Sequence, residues 1–191
     1  MDRKITLIRH GMTAGNLEKR YIGVTDEPLC ETGVSEVSKR SYPAADIVII
    51  SPLLRCKMTA ELIYPNRDFI VIDDLKETDF GDFEGKNYIE LSSNEDYQRW
   101  IDSGGELPFP NGESKEIANK RALGGFEEVL SLTENYSNVS IVTHGGTIMA
   151  ILSYYFGENY YSYYVKNCEG YTFDLSHDGI YSGLSPRSFI R

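Results

Sequence analysis

Lys4-Ile5-Thr6-Leu7-Ile8-Arg9-His10-Gly11 is the stretch on which the reading of this chain turns. Ile5–Ile8 forms a short β-prone run without polar alternation, ending in a cation, an imidazole and a glycine. Such a run suits a strand covered on both faces, as in a parallel sheet between helical layers. The pattern recurs: Ile47–Ile50 leads into Ser51-Pro52-Leu53-Leu54-Arg55, and Val139–Val142 into Thr143-His144-Gly145-Gly146. Phe69–Ile72 reads as a fourth strand of this kind.

Helical signals fill the intervals. Thr32 is placed to cap a helix to about Tyr42, closed by Pro43, and Ser51-Pro52 to open one through about Leu62. Asn94 caps a short helix with Tyr97, Trp100 and Ile101 on one face. In Glu113–Thr133, Ile117, Ala118, Ala122, Phe126, Val129 and Leu130 follow a 3.6-residue period. Gly124-Gly125 costs about 1 kcal/mol per residue there against alanine, implying a close helix contact or a kink. Thr147–Phe156 is a further helix. Tyr171, Phe173 and Leu175, then Asp178-Gly179, then Ile180, Ser182 and Leu184 read as an edge hairpin, with His177 a turn residue. The expected fold is α/β: a three-layer sandwich whose central sheet, about six strands, is mostly parallel with one antiparallel edge strand, helices on both faces. At 191 residues the chain is expected to be one domain over 1–191. Residues 86–112, punctuated by Gly104-Gly105 and Pro108–Pro110, are expected to form a lid-like insertion over the site.

Charge and composition narrow the function. A net charge of −10 argues against nucleic-acid binding but permits a local pocket for an anion. No apolar run is long enough to cross a membrane, and Met1–His10 is too short for a signal peptide. Cys30, Cys56 and Cys168 are odd in number and far apart, which suits a reduced, cytoplasmic protein. His10, His144 and His177, the 3 histidines, show no metal-ligand spacing, so no metal and no cofactor is expected.

In open α/β sheets ligands bind beyond the carboxyl ends of the strands. Arg9, His10, Arg55 and His144 all fall there, with the Gly145 and Gly146 amides opening a helix. Two guanidinium groups and two imidazoles suit a dianion, phosphate being the natural one. An imidazole beside arginines is held partly neutral and can attack phosphorus.

Leu7–Thr13 with Asn16 resembles the arginine-histidine-glycine signature of the histidine phosphatase superfamily, on its phosphoglycerate-mutase-like branch. Tyr21–Leu29, Ser51–Ala60, Leu75–Gly85 and Val142–Gly146 are similar to four further motifs of that branch, in the same order. The resemblance implies a metal-independent phosphomonoesterase with His10 as the nucleophile that becomes phosphohistidine. It gives Arg9, Arg55, His144, Asn16 and Gly145 to the phosphoryl oxygens and Glu77 to proton transfer. Asp79, Asp82 and Glu84 rival Glu77 for that role, and Asn16 has a second reading as a helix cap. Met12 departs from the family's usual Glu or Gln and is read as tuning its loop. Asn111-Gly112-Glu113-Ser114 resembles a segment of α-ribazole phosphatases, so α-ribazole 5′-phosphate is the expected substrate. Tyr88, Tyr97, Trp100 and Phe109 would stack on its base, while Glu90, Glu95, Asp96, Asp102 and Glu106 would oppose a highly anionic one. A broad-specificity phosphatase, a mutase and a phosphate-binding pseudo-enzyme are the alternatives. Small phosphorylated substrates are the expected partners. Tyr154–Tyr164 reads as packing or, alternatively, as a homodimer surface.

Overall fold

The computed structural model describes residues 2–176, 178–187 and 189; His177 lies outside them. Its sheet has six strands, β1 (Arg3–Arg9), β2 (Ile47–Ile50), β3 (Ile70–Val71), β4 (Asn138–Thr143), β5 (Gly170–Leu175) and β6 (Tyr181–Arg187), in the order β3-β2-β4-β1-β5-β6. β1, β2, β3 and β4 pair in parallel. The antiparallel edge is the β5–β6 hairpin: β5 runs against β1, and β6 returns along it.

Alternate residues of a strand face opposite ways, and both faces of the central strands are apolar. Ile5, Leu7, Ile49, Val139 and Ile141 pack under helices α5 (Lys115–Leu132) and α6 (Gly145–Phe156), against Phe126, Val129, Ile148 and Ile151. Ile8, Val48, Ile50 and Val142 face the other way, against Cys56 and Ala60 of α3 (Leu54–Ile63) and against Tyr64. Two-sided burial, at roughly 1.5–3 kcal/mol per large aliphatic side chain, is why these strands show no polar alternation.

Several local expectations are corrected. Phe69–Ile72 pairs only over Ile70–Val71, an exposed sheet edge rather than a buried strand. α2 spans Glu31–Ser38, and its cap is Cys30, whose sulfur accepts the Gly33 N–H, not Thr32. α3 begins at Leu54 rather than after Ser51; its Leu54 N–H is capped from a distant loop by Asp26 Oδ1 at 2.7 Å. Asn94 caps α4 (Glu95–Asp102) as expected, but Ile101 is exposed, as is Ile117 in α5. The Gly124-Gly125 pair marks a close contact: a Cβ on Gly125 would lie 3.0 Å from Asp74. A short helix, α1 (Ala14–Leu17), follows β1. Residues 86–112 pack through Leu91, Tyr97, Trp100 and Phe109 onto Tyr21, Phe80 and Phe83, a small core of their own.

Candidate active site

β1 and β4 lie side by side, so their carboxyl ends deliver His10 and His144 together. The ladder runs on past β1, with His10 N–H donating to Thr143 O at 3.0 Å, and the two rings meet edge-on with centroids 5.1 Å apart. His10 Nδ1 lies 2.7 Å from the Gly11 carbonyl oxygen. A carbonyl only accepts, so Nδ1 carries the proton and Nε2 keeps its lone pair. Burial first, then the Arg55 and Arg9 guanidinium groups, hold the His10 pKa well below its usual value. Burial, then Arg55, depress His144 in the same way, so both rings are neutral at pH 7.

Ser51 serves this pair rather than a helix end. Its Oγ sits 2.6 Å from His144 Nε2, and Cys56 Sγ sits 3.5 Å from that nitrogen.

Arg55 is fully buried, and carbonyl groups hold it: Thr25 O and Gly23 O each at 2.8 Å. That loop is clamped in turn by Glu84, which accepts from Gly23 N–H (2.9 Å), Val24 N–H (3.0 Å) and Thr25 Oγ1 (2.8 Å). Arg9 donates to Val165 O at 2.7 Å, and its guanidinium lies beside Gly145, where a Cβ would stand 3.3 Å from Cζ. The Nε atoms of Arg9 and Arg55 are buried without a hydrogen-bond partner.

Glu77 is nearly buried at the start of α6. Its Oε2 accepts the Gly146 N–H at 3.2 Å and its Oε1 the Thr78 N–H at 2.9 Å. The rivals are engaged elsewhere: Asp79 bonds Gly81 N–H at 2.8 Å, Asp82 bonds Asn111 at 3.0 Å, and Glu84 clamps the arginine loop. Asn111-Gly112-Glu113-Ser114 turns out to be scaffold. Ser114 caps α5, and Glu113 pairs with Arg121 at 2.7 Å. Arg121 also donates to the Lys76 and Glu77 carbonyls at 2.8 and 3.2 Å, so the segment holds Glu77 in place.

Asn16 takes part in a helix cap, the second of its two readings. Its Oδ1 closes a capping box with Thr13 and also accepts from Asn167 Nδ2 at 3.1 Å, which leaves the amide nitrogen as a donor. Asn167, which the sequence did not single out, lies 3.1 Å from His10 O through the same nitrogen. A cleft of about 240 Å³ opens from Arg9, Glu77, Gly145 and Gly146. Tyr21, Phe80, Trp100, Phe109, Tyr160, Tyr161 and Tyr164 line its walls, and Lys115 is a further cation in the lining. Of the four expected stacking residues, Trp100 and Phe109 line it, Tyr97 stacks on Trp100, and Tyr88 is elsewhere. The tyrosine-rich stretch divides: Tyr155 and Phe156 pack on the core, while Tyr160, Tyr161 and Tyr164 face the cleft. Among the described residues no three of His, Cys, Asp or Glu gather as metal ligands, and no helix is long and apolar enough to cross a membrane.

Residues 5–182 match the family model of the histidine phosphatase superfamily (branch 1). The chain belongs to that superfamily. It is a phosphatase of the histidine-nucleophile class. The chain is 36% identical over 155 residues to the uncharacterized phosphatase PhoE of Bacillus subtilis, covering 78% of this chain and 75% of the relative. It is 28% identical over 158 residues to the adenosylcobalamin/alpha-ribazole phosphatase of Escherichia coli, covering 78% and 77%. Among solved structures, the phosphoserine phosphatase of Entamoeba histolytica in complex with 3-phosphoglyceric acid superposes with a TM-score of 0.82 at 26% identity, over 97% of both chains.

Proposed function

We propose that the protein is a metal-independent phosphomonoesterase that passes the phosphoryl group through Nε2 of His10, with α-ribazole 5′-phosphate as its favoured substrate. The observation that carries this is the His10 ring: Nδ1 is tied to Gly11 O at 2.7 Å, and a neutral Nε2 is left among buried cations. His10 Nε2 bonds to phosphorus as the ester P–O bond breaks, and Glu77 gives its proton to the departing alkoxide. Glu77 then takes a proton from water, whose oxygen displaces the imidazole and releases inorganic phosphate. Arg9, Arg55, His144, Asn16 and the Gly145 amide hold the three equatorial oxygens, on which charge spreads in the transition state.

The walls support the substrate class. Aromatic rings suit a flat base, and Lys115 already pairs with Glu106 at 2.6 Å, which leaves little attraction for a second anionic group. Segment 86–112 acts as the cover by supplying Trp100, Gly105 and Phe109 to that wall. A broad-specificity small-molecule phosphatase is the second reading, favoured by the scarcity of polar groups among those rings. The free cysteines suit a reduced, cytoplasmic setting.

p-Nitrophenyl phosphate turnover should survive EDTA and be blocked by vanadate, and His10→Ala should abolish both turnover and an acid-labile phosphoenzyme. Normal turnover by His10→Ala would end the assignment. A panel of α-ribazole phosphate, phosphoserine, 3-phosphoglycerate and simple alkyl phosphates decides the substrate. Trp100→Ala should raise KM three- to tenfold for α-ribazole phosphate alone. An equal rise for alkyl phosphates favours the broad reading.

A further inference from the structure

The segment 165–168, between the tyrosine-rich stretch and β5, belongs to no motif, yet it touches the nucleophile strand repeatedly. Val165 O accepts from Arg9 at 2.7 Å. Cys168, in the left-handed region at φ 66°, donates its N–H to Arg9 O and His10 O at 3.1 and 3.2 Å. A non-glycine residue in that conformation is uncommon and persists where surrounding contacts enforce it. Between them, Asn167 Nδ2 lies 3.1 Å from His10 O, 3.1 Å from Asn16 Oδ1 and 3.5 Å from Gly11 O. All three neighbours are acceptors, so the group facing them is the amide NH₂.

Resting on the reading of His10 as nucleophile and Asn16 as a phosphoryl donor, we infer that Asn167 is a positioning residue that fixes which end of the Asn16 amide meets the phosphoryl group. Asn16 can present either oxygen or nitrogen, and the wrong end would set a lone pair against a phosphoryl oxygen. Thr13 N–H, 3.2 Å from Asn16 Oδ1, is one donor on the oxygen. Thr13 is the buried N-cap of the 4-residue helix α1 and leaves the oxygen room for a second donor. Asn167 is the second donor, and it ties that oxygen to the backbone carrying the nucleophile. An aspartate at 167 has the same shape and cannot donate. Asn16 would then turn its NH₂ toward that carboxylate and its oxygen toward the phosphoryl group.

The test compares the parent, Asn167→Asp, Asn167→Ala, Asn16→Ala and the Asn16→Ala/Asn167→Ala double variant. The readouts are kcat/KM for p-nitrophenyl phosphate, vanadate inhibition and thermal melting. Asn167→Ala should lower kcat/KM at least tenfold in the parent and weaken vanadate in parallel. In the Asn16→Ala background its cost should shrink at least threefold, because no amide remains to be oriented. Asn167→Asp should cost more than Asn167→Ala. An Asn167→Ala cost that is the same in both backgrounds, or one confined to melting temperature with kcat/KM kept, overturns the inference. Should Asn167→Asp fail to fold, the alanine cycle decides alone. Failure of the phosphohistidine reading would appear separately, as turnover retained by His10→Ala.

Discussion

Gly146→Ala tests the proton-transfer role without touching a charged group. A Cβ on Gly146 would fall inside 3.0 Å of Glu77 Oε1, whereas ordinary contact begins near 3.4 Å. The obstructing atom is the tip of a flexible side chain, so the carboxylate yields rather than the helix, by something on the order of 1 Å. A shift of that size at a catalytic group can cost about 10²-fold, and general acid catalysis supplies roughly 10²–10⁴-fold. The Ala in the first turn of α6 should if anything favour the helix, by up to ~1 kcal/mol. The variant should therefore melt no lower than the parent while losing about 10²-fold in kcat/KM for alkyl phosphates. For p-nitrophenyl phosphate, whose leaving group departs without a proton, the loss in kcat/KM should stay within a few-fold, because kcat/KM reports only steps through phosphoenzyme formation. Equal losses on both substrates would mean that Glu77 is not the acid. No loss on either would mean that the carboxylate has no part in the first step.

Three further outcomes follow from the same geometry. Glu84→Ala strips the acceptor from Gly23, Val24 and Thr25. It should cost about 1–3 kcal/mol of stability in a denaturant titration and raise the inhibition constant of inorganic phosphate at least tenfold by loosening Arg55; unchanged phosphate affinity would uncouple that loop from the site. Because His10 and His144 are held below the usual histidine pKa near 6.5, the unfolded chain binds more protons than the folded one once the pH drops below that value. Stability is thus complete above about pH 6.5 and should fall on acidification, by up to ~1.4 kcal/mol per pH unit for each ring; a denaturation midpoint independent of pH between 7 and 5 would contradict this. Inorganic phosphate at about 100 times its dissociation constant should stabilise the fold by ~2.7 kcal/mol, read as a higher melting temperature against a potassium chloride control, and the gain should vanish in Arg55→Ala.

What the sequence disclosed divides along a physical line. β1, β2 and β4 were legible because two-sided burial writes itself as unbroken aliphatic runs, and the residues after them were legible because strand ends in such sheets are where ligands bind. β3 was overread: Ile70 and Val71 are as aliphatic as a buried strand, and only the pairing partner reveals an edge. Ser51 was misread as a cap because Ser-Pro before a helix is a sound local signal, but a buried histidine nitrogen 2.6 Å away takes its hydroxyl instead. The segment Asn111–Ser114 was legible only as a resemblance; that Glu113, through Arg121, supports Glu77 appears in the contacts alone. Asn167 was invisible, since a lone asparagine in a loop carries no pattern; its meaning comes from contacts about 150 positions away.

The charge arrangement explains why the site spends so much of its surroundings on support. Among the described residues neither Arg9 nor Arg55 meets a carboxylate; carbonyl dipoles from Val165, Gly23 and Thr25 hold them. Pairing them with Glu or Asp would stabilise the buried charges and cancel the field that a dianion must feel. Carbonyl groups are the compromise: they accept from terminal N–H donors and orient the guanidinium forks while leaving the net charge standing. Carbonyls on loops hold position only if the loops are fixed, which is the task of Glu84 beneath residues 23–25. The same logic applies to Asn167 and Cys168 beneath Arg9 and His10. Glu84 therefore sits one step back from Arg55, gripping the backbone N–H groups of the loop that holds it. Glu77, the one carboxylate lining the cleft among the described residues, is itself held by the Gly146 and Thr78 N–H groups.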